Sequence, residues 1–60
     1  MKTYRFQIKV ENALDFLNDK FARSLDLSEN IISGWIKEGM INELKNHFKG
    51  LDVKLIENYK

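Results

Sequence analysis

Three serines (Ser24, Ser28 and Ser33), one histidine (His47) and nine acidic residues are the groups from which a nucleophile, a base and an orienting carboxylate could be assembled in this sequence. Residue types alone do not make a triad. The serine must sit on a glycine-rich turn that exposes its hydroxyl, beside a pocket deep enough to hold a substrate. None of the three glycines makes such a turn, and a chain of 60 residues has little volume to enclose, since it buries only ~60% of its unfolded surface. Zinc is excluded by the absence of cysteine and the single histidine, which leave too few ligands for a structural site. The chain therefore reads as a non-enzyme with no catalytic residue, metal or cofactor. Its chemistry is recognition.

The elements that would position recognising groups are short. Residues 3–10 alternate strictly, with Tyr4, Phe6, Ile8 and Val10 on one face and Arg5, Gln7 and Lys9 on the other. Aromatic and β-branched residues dominate, which predicts a half-buried strand. Asn12 can cap a helix running from about Ala13 to Leu25, with acidic Asp15 in its first turn and Leu14, Leu17, Phe21 and Leu25 at helical spacing. Ser28 can cap a second helix, whose apolar stripe is Ile31, Ile32, Trp35 and Ile36 and whose stop is Gly39. Asn42 would open a third, short helix bearing Leu44 and Phe48, closed by Gly50; His47 is expected on its rim. Alternation of Leu51, Val53 and Leu55 with Asp52 and Lys54 predicts a second strand over about 51–57. The fold class expected is α+β: one domain over 1–60, three short helices flanked by N- and C-terminal strands.

Residues 21–41, and more broadly 18–38, resemble the helix-turn-helix of bacterial and phage regulators. Ala22 stands where the first helix approaches the second, Leu25 and Leu27 bracket the turn, and Ile32, Trp35 and Ile36 face the partner helix. Asp26 replaces the family's usual turn glycine and is among the residues that tolerate positive φ. The strand–helices–strand order is similar to that of the small Cro-type repressors. The resemblance implies a cytoplasmic, dimeric, sequence-specific repressor bound to double-stranded DNA, with residues 29–38 as recognition helix. Outward positions would be Ser28, Glu29, Asn30, Ser33, Gly34 and Lys37. Asn30 would pair with adenine, Glu29 would accept from cytosine, and Ser33 could meet either kind of base. Gly34 would admit the backbone, while Ser28, Lys20, Arg23 and Lys37 would meet phosphates.

Two alternatives stand beside it. In ribbon-helix-helix repressors, which this order also resembles, an alternating strand from each protomer enters the major groove. Arg5, Gln7 and Lys9 would then be the reading residues, and residues 29–49 one long helix. The other alternative is a small phage-type inhibitor or adaptor that binds a protein and no DNA. It is favoured by ten Lys and Arg against nine Asp and Glu, a formal net charge of only +1, where nucleic-acid binders are usually clearly basic. The longest apolar runs are two residues, such as Leu55-Ile56, so no membrane span or signal peptide is expected. A core this small with no staple makes a homodimer the natural expectation.

Overall fold

The computed structural model describes residues 2–58. Its framework is a four-stranded antiparallel sheet in the order β2-β3-β1-β4, built from β1 (Thr3–Lys9), β2 (Ser24–Asp26), β3 (Ile31–Lys37) and β4 (Val53–Asn58). One helix, α1 (Ile41–His47), and two 3-10 turns, Ala13–Phe16 and Glu38–Met40, complete the regular structure. Among the described residues no helix is long and apolar enough to cross a membrane.

The expected three-helix arrangement is therefore corrected to a sheet with one short helix. The first strand forms as its alternation predicts. Asn12 caps as expected, its side chain accepting from the Leu14 N–H, but the helix stops after a single 3-10 turn. The second helix is absent. Residues 24–26 and 31–37 form the hairpin β2–β3, with Leu25 opposite Ile32. Its turn is built by Asp26, whose carboxylate accepts from the Ser28 and Glu29 backbone N–H groups and from the Ser28 hydroxyl. Asn30 completes it with φ of 55°, a left-handed conformation that asparagine tolerates. Ser28 thus serves a hairpin turn instead of capping a helix. The short C-terminal helix does form, starting from Met40 rather than Asn42, and Gly50 follows it with φ of 88°. The two terminal strands pair with each other within the chain, β1 in the interior of the sheet and β4 at its edge. Because β1 is hydrogen-bonded to β3 on one edge and β4 on the other, it cannot form a two-stranded ribbon with a partner's copy.

Antiparallel pairing places even-numbered residues of β1 and β3 on one face and odd-numbered ones on the other. The inner face carries Phe6, Ile8, Ile32 and Ile36, all buried, and is covered by Leu44 and Phe48 at α1 and by Ala13 and Ala22 from the long β1–β2 connection. Phe48 is the hub, its ring centroid 6.2 Å from Phe6, 5.9 Å from Phe16 and 6.4 Å from Phe21. Gly34 sits in the inner row opposite Phe6. A Cβ there would lie 2.8 Å from the Phe21 carbonyl oxygen and 2.9 Å from Phe6 Cε2. The glycine lets ring and backbone cross the sheet at contact distance.

Gly34→Ala should consequently lower unfolding stability by about 1–3 kcal/mol, as overpacking does. Gly39→Ala adds a Cβ that meets nothing within 4 Å and should move stability by less than about 0.5 kcal/mol. Urea unfolding of the two variants measures the contrast.

Candidate functional site

Turning one face of the sheet inward leaves the other uncovered, and the sequence has loaded it with polar and cationic groups. This open face carries Arg5, Gln7 and Lys9 from β1 and Ile31, Ser33, Trp35 and Lys37 from β3, and the register adds Lys54 and Ile56 from β4 and Ser24 and Asp26 from β2. The rows can be read across the strands. Ile56, Arg5 and Trp35 form one row; Lys54, Gln7 and Ser33 the next; Lys9 and Ile31 the one after. Trp35 is 51% exposed and Ile56 47%, two large apolar side chains left open at the two sides of Arg5.

Arg5 organises the middle of this face. Its guanidinium carbon lies 5.5 Å from the Trp35 ring centroid, within range of a cation–π contact. Its Nη2 also donates to Ser33 Oγ at 3.3 Å, and Ser33 is buried although it points to the open side. Arg5 therefore braces one part of the indole and leaves the rest in solvent. Among the described residues, none of Arg5, Lys9, Lys37 and Lys54 is held in an ion pair. Beside the row, Gln7, Lys9, Ile31, Asp52 and Lys54 enclose a hollow of about 200 Å³.

The helix-turn-helix residues do not assemble into one surface. Ser28 and Glu29 lie exposed in the hairpin turn, with Ser28 engaged by Asp26. Asn30, the expected adenine reader, spends its side-chain oxygen on the Ala13 N–H at 3.1 Å, and its carbonyl accepts from the Val10 N–H at 2.9 Å. Gly34 faces inward, so its close approach is to Phe6 and Phe21, not to a ligand. Lys20 lies in the β1–β2 connection with its ammonium 5.2 Å from the Phe21 ring centroid. Arg23 is exposed just before β2, its backbone N–H donating to the Ser33 carbonyl. Only Ser33 and Lys37 of that set reach the open face. They join Arg5, Gln7 and Lys9, which the ribbon alternative named, although the element presenting them is a sheet. Sequence reasoning missed Trp35, Lys54, Asp52 and Ile56. The signal for Trp35 was its odd position in an Ile-rich run, which alternates as well as it turns.

His47 does find a carboxylate. Its Nε2 is 2.6 Å from Asp19 Oδ1, and the ring stands edge-on to Phe21 and Phe48, with centroids 5.2 and 4.6 Å away. The hydroxyls are engaged elsewhere, Ser28 with Asp26 and Ser33 with Arg5. This pair clasps α1 to the β1–β2 connection. Desolvation works to raise the Asp19 carboxyl, but hydrogen bonds from His47 and from the Phe21 and Ala22 N–H groups outweigh it and hold the group below its ordinary value. The described residues contain no cluster of His, Cys, Asp and Glu able to hold a metal ion.

Comparison with protein-family models, with curated proteins and with solved structures finds no match to this chain. The open face must be interpreted from its own chemistry.

A depressed carboxyl stabilises the fold most when ionised. The Asp19 contribution should be complete above its unfolded value near 3.8 and drain away as pH falls through the lower folded value. The urea midpoint of the native protein should accordingly fall more steeply on acidification than that of Asp19→Ala, and the two curves should converge in strong acid.

Proposed function

We propose that the protein binds single-stranded nucleic acid on the open face of its sheet. Trp35 stacks on a base, and Arg5, Lys9, Lys37 and Lys54 meet phosphates. The observation that carries this reading is the half-exposed Trp35 braced by Arg5 among cations that form no ion pair with any described residue. Aromatic platforms set in a basic surface hold unpaired bases with little demand on sequence. Ile56 extends the apolar part of the platform at the other end of the same row.

Charge decides between this occupant and a second copy of the chain. Two such faces brought together would set four cations and two carboxylates against the same set, an excess of like charge that opposes association. A phosphate backbone meets the same surface with complementary charge. Geometry decides between single strands and duplex. The face lies on a sheet with no helix or hairpin rising from it to enter a groove, and a duplex keeps its bases stacked out of reach of Trp35. β3 is seven residues long, roughly 23 Å at ~3.3 Å per residue, enough for a segment of two or three nucleotides. The proposal replaces the double-stranded DNA expected from the sequence by a single strand, and the binding element changes from a helix in the major groove to a sheet face.

The near-neutral total does not oppose this. Glu11, Asp15, Asp19, Glu29, Glu38 and Glu43 lie in loops, turns or α1, and Glu57 shares the inner side of β4 with its partner Lys2, 2.9 Å away. The two carboxylates on the open side, Asp26 and Asp52, are outnumbered by four cations, and Asp26 is engaged by the hairpin turn. The sheet separates the charges that the sequence interleaves.

Trp35 is the only tryptophan, so its fluorescence reports the site directly. Titration with a short single-stranded oligonucleotide at low salt should quench it. Trp35→Ala should weaken binding of a labelled oligonucleotide by about 1–3 kcal/mol. Four phosphate contacts predict a slope of log K against log salt of about −3, and Lys37→Gln should make it shallower by about 0.7. Equal affinity for duplex, equal affinity for polyglutamate, or no binding at low salt would each overturn the proposal.

A further inference from the structure

We infer that the hollow beside Trp35 is a base pocket that selects guanine. This rests on the reading of the open face as a single-strand surface, and deepens it by assigning the second nucleotide. The hollow is bounded by Gln7, Lys9, Ile31, Asp52 and Lys54 and holds about 200 Å³. Gln7 follows Arg5 by two residues on the same face of β1, so the pocket begins about 7 Å from the Trp35 row. A base next to the one stacked on Trp35 would fall into it.

The walls supply the two things a base requires. Ile31 and the aliphatic stems of Lys9 and Lys54 give an apolar lining against which a ring can lie. The polar groups then select which ring. Asp52 is the one carboxylate among the lining residues, and an ionised carboxylate offers two acceptor oxygens and no donor. Guanine is the base whose pairing edge presents two adjacent donors, the ring N1–H and the exocyclic N2–H₂, spaced to meet both oxygens in the fork-to-fork manner of a guanidinium. Adenine and cytosine set one amino group beside a bare ring nitrogen that a carboxylate repels. Thymine and uracil set one N–H between two carbonyls. On guanine's other edge O6 and N7 are both acceptors, which suits a lysine ammonium. One of Lys9 and Lys54, both on the walls, supplies it by turning from phosphate to the base when guanine is bound, and the Gln7 amide can donate as well. Acceptor on one side and donors on the other match guanine and mismatch the rest. The same logic explains a carboxylate on a surface otherwise built for phosphate, where a negative charge opposes binding unless it is paired.

The test uses single-stranded hexamers of deoxythymidine carrying one central dG, dA, dC or deoxyinosine, with the unsubstituted hexamer as reference. Affinity is read by Trp35 quenching and by anisotropy of the labelled strand. The dG hexamer should bind about tenfold tighter than the reference, an ordinary magnitude for one well-paired base. Deoxyinosine lacks the N2 amino group and should fall most of the way back. Asp52→Asn should reduce the dG preference to less than about twofold, with the reference hexamer bound at least as tightly as before because an unpaired carboxylate no longer repels its phosphates, and with the Trp35 signal retained. Asp52 is exposed and precedes β4, so the variant is not expected to disturb folding; circular dichroism and the urea midpoint check it. Quenching by all hexamers with equal affinity, or a dG preference that survives Asp52→Asn, would overturn the pocket and leave the single-strand surface standing. Absence of quenching and binding with every hexamer would overturn both.

Discussion

The crossing of Phe6 over Gly34 is the contact on which the arrangement of this chain depends. Phe6 is in the central strand and is completely buried. Its ring must occupy the inner face, where β3 would otherwise present a side chain. A glycine directly opposite opens that space, and the Phe21 carbonyl comes into it from the covering connection. One vacancy therefore seats the central ring, brings the connection down onto the sheet and lets Phe48 close the stack from α1. In so small a core there is no second layer to redistribute the strain. The asymmetry of the two faces follows. Everything that can cover the sheet is drawn to the side of Phe6, and the Trp35 side is left to solvent.

Holding α1 in place falls to a polar contact as well as to Phe48. The helix is seven residues long, far too short to persist alone. His47 reaches across to Asp19, which simultaneously accepts from two backbone N–H groups of the connection. One carboxylate thus orders the loop that covers the core and tethers the helix beside it. Burial of Leu44 and Phe48 provides most of the driving force, and the His47–Asp19 contact ties the end of the helix to the connection.

How much of this was legible depends on how each segment resolves the ambiguity between periods of 2 and 3.6. β1 was readable because Tyr4, Phe6, Ile8 and Val10 alternate without interruption. β4 was readable for the same reason through Val53 and Leu55. β3 was misread, and its residues show why. Ile31, Ile32, Trp35 and Ile36 give an i, i+1, i+4, i+5 pattern that a helix stripe predicts. The same positions are two on each face of a strand, with the inner row interrupted at Gly34. That missing apolar residue is Phe6's space, a tertiary fact that no local window contains. The β-branched and aromatic content of the run favoured a strand, and was the signal to weigh more heavily. In the connection, Leu14 and Leu17 fitted a helix stripe but are 53% and 64% exposed, while the core takes Ala13 and Ala22 instead. The structure offers no account of why two leucines are left there. Of the candidate site, the alternation of Arg5, Gln7 and Lys9 was visible from the start, but its neighbours on β3 and β4 become neighbours only through pairing.

Net charge was the observation that argued most against a nucleic-acid partner, and pairing changes its meaning. Electrostatic attraction between a protein and a strand is set by the charges within about a Debye length of the phosphates, ~8–10 Å at ordinary salt, not by the formal sum. A sheet face is an efficient sorter, because every second residue of every strand is assigned to one side. In β1 that rule sends Arg5 and Lys9 one way and Phe6 and Ile8 the other; in β4 it sends Lys54 outward and Glu57 to the side where Lys2 meets it. Most acids lie in loops and α1, off that face, and the two that lie on it, Asp26 and Asp52, reduce the local field of four cations without cancelling it. A chain with a formal charge of +1 can thereby present four cations and one tryptophan on a single open surface, and of the two carboxylates there Asp26 is spent on the hairpin turn while Asp52 faces the hollow.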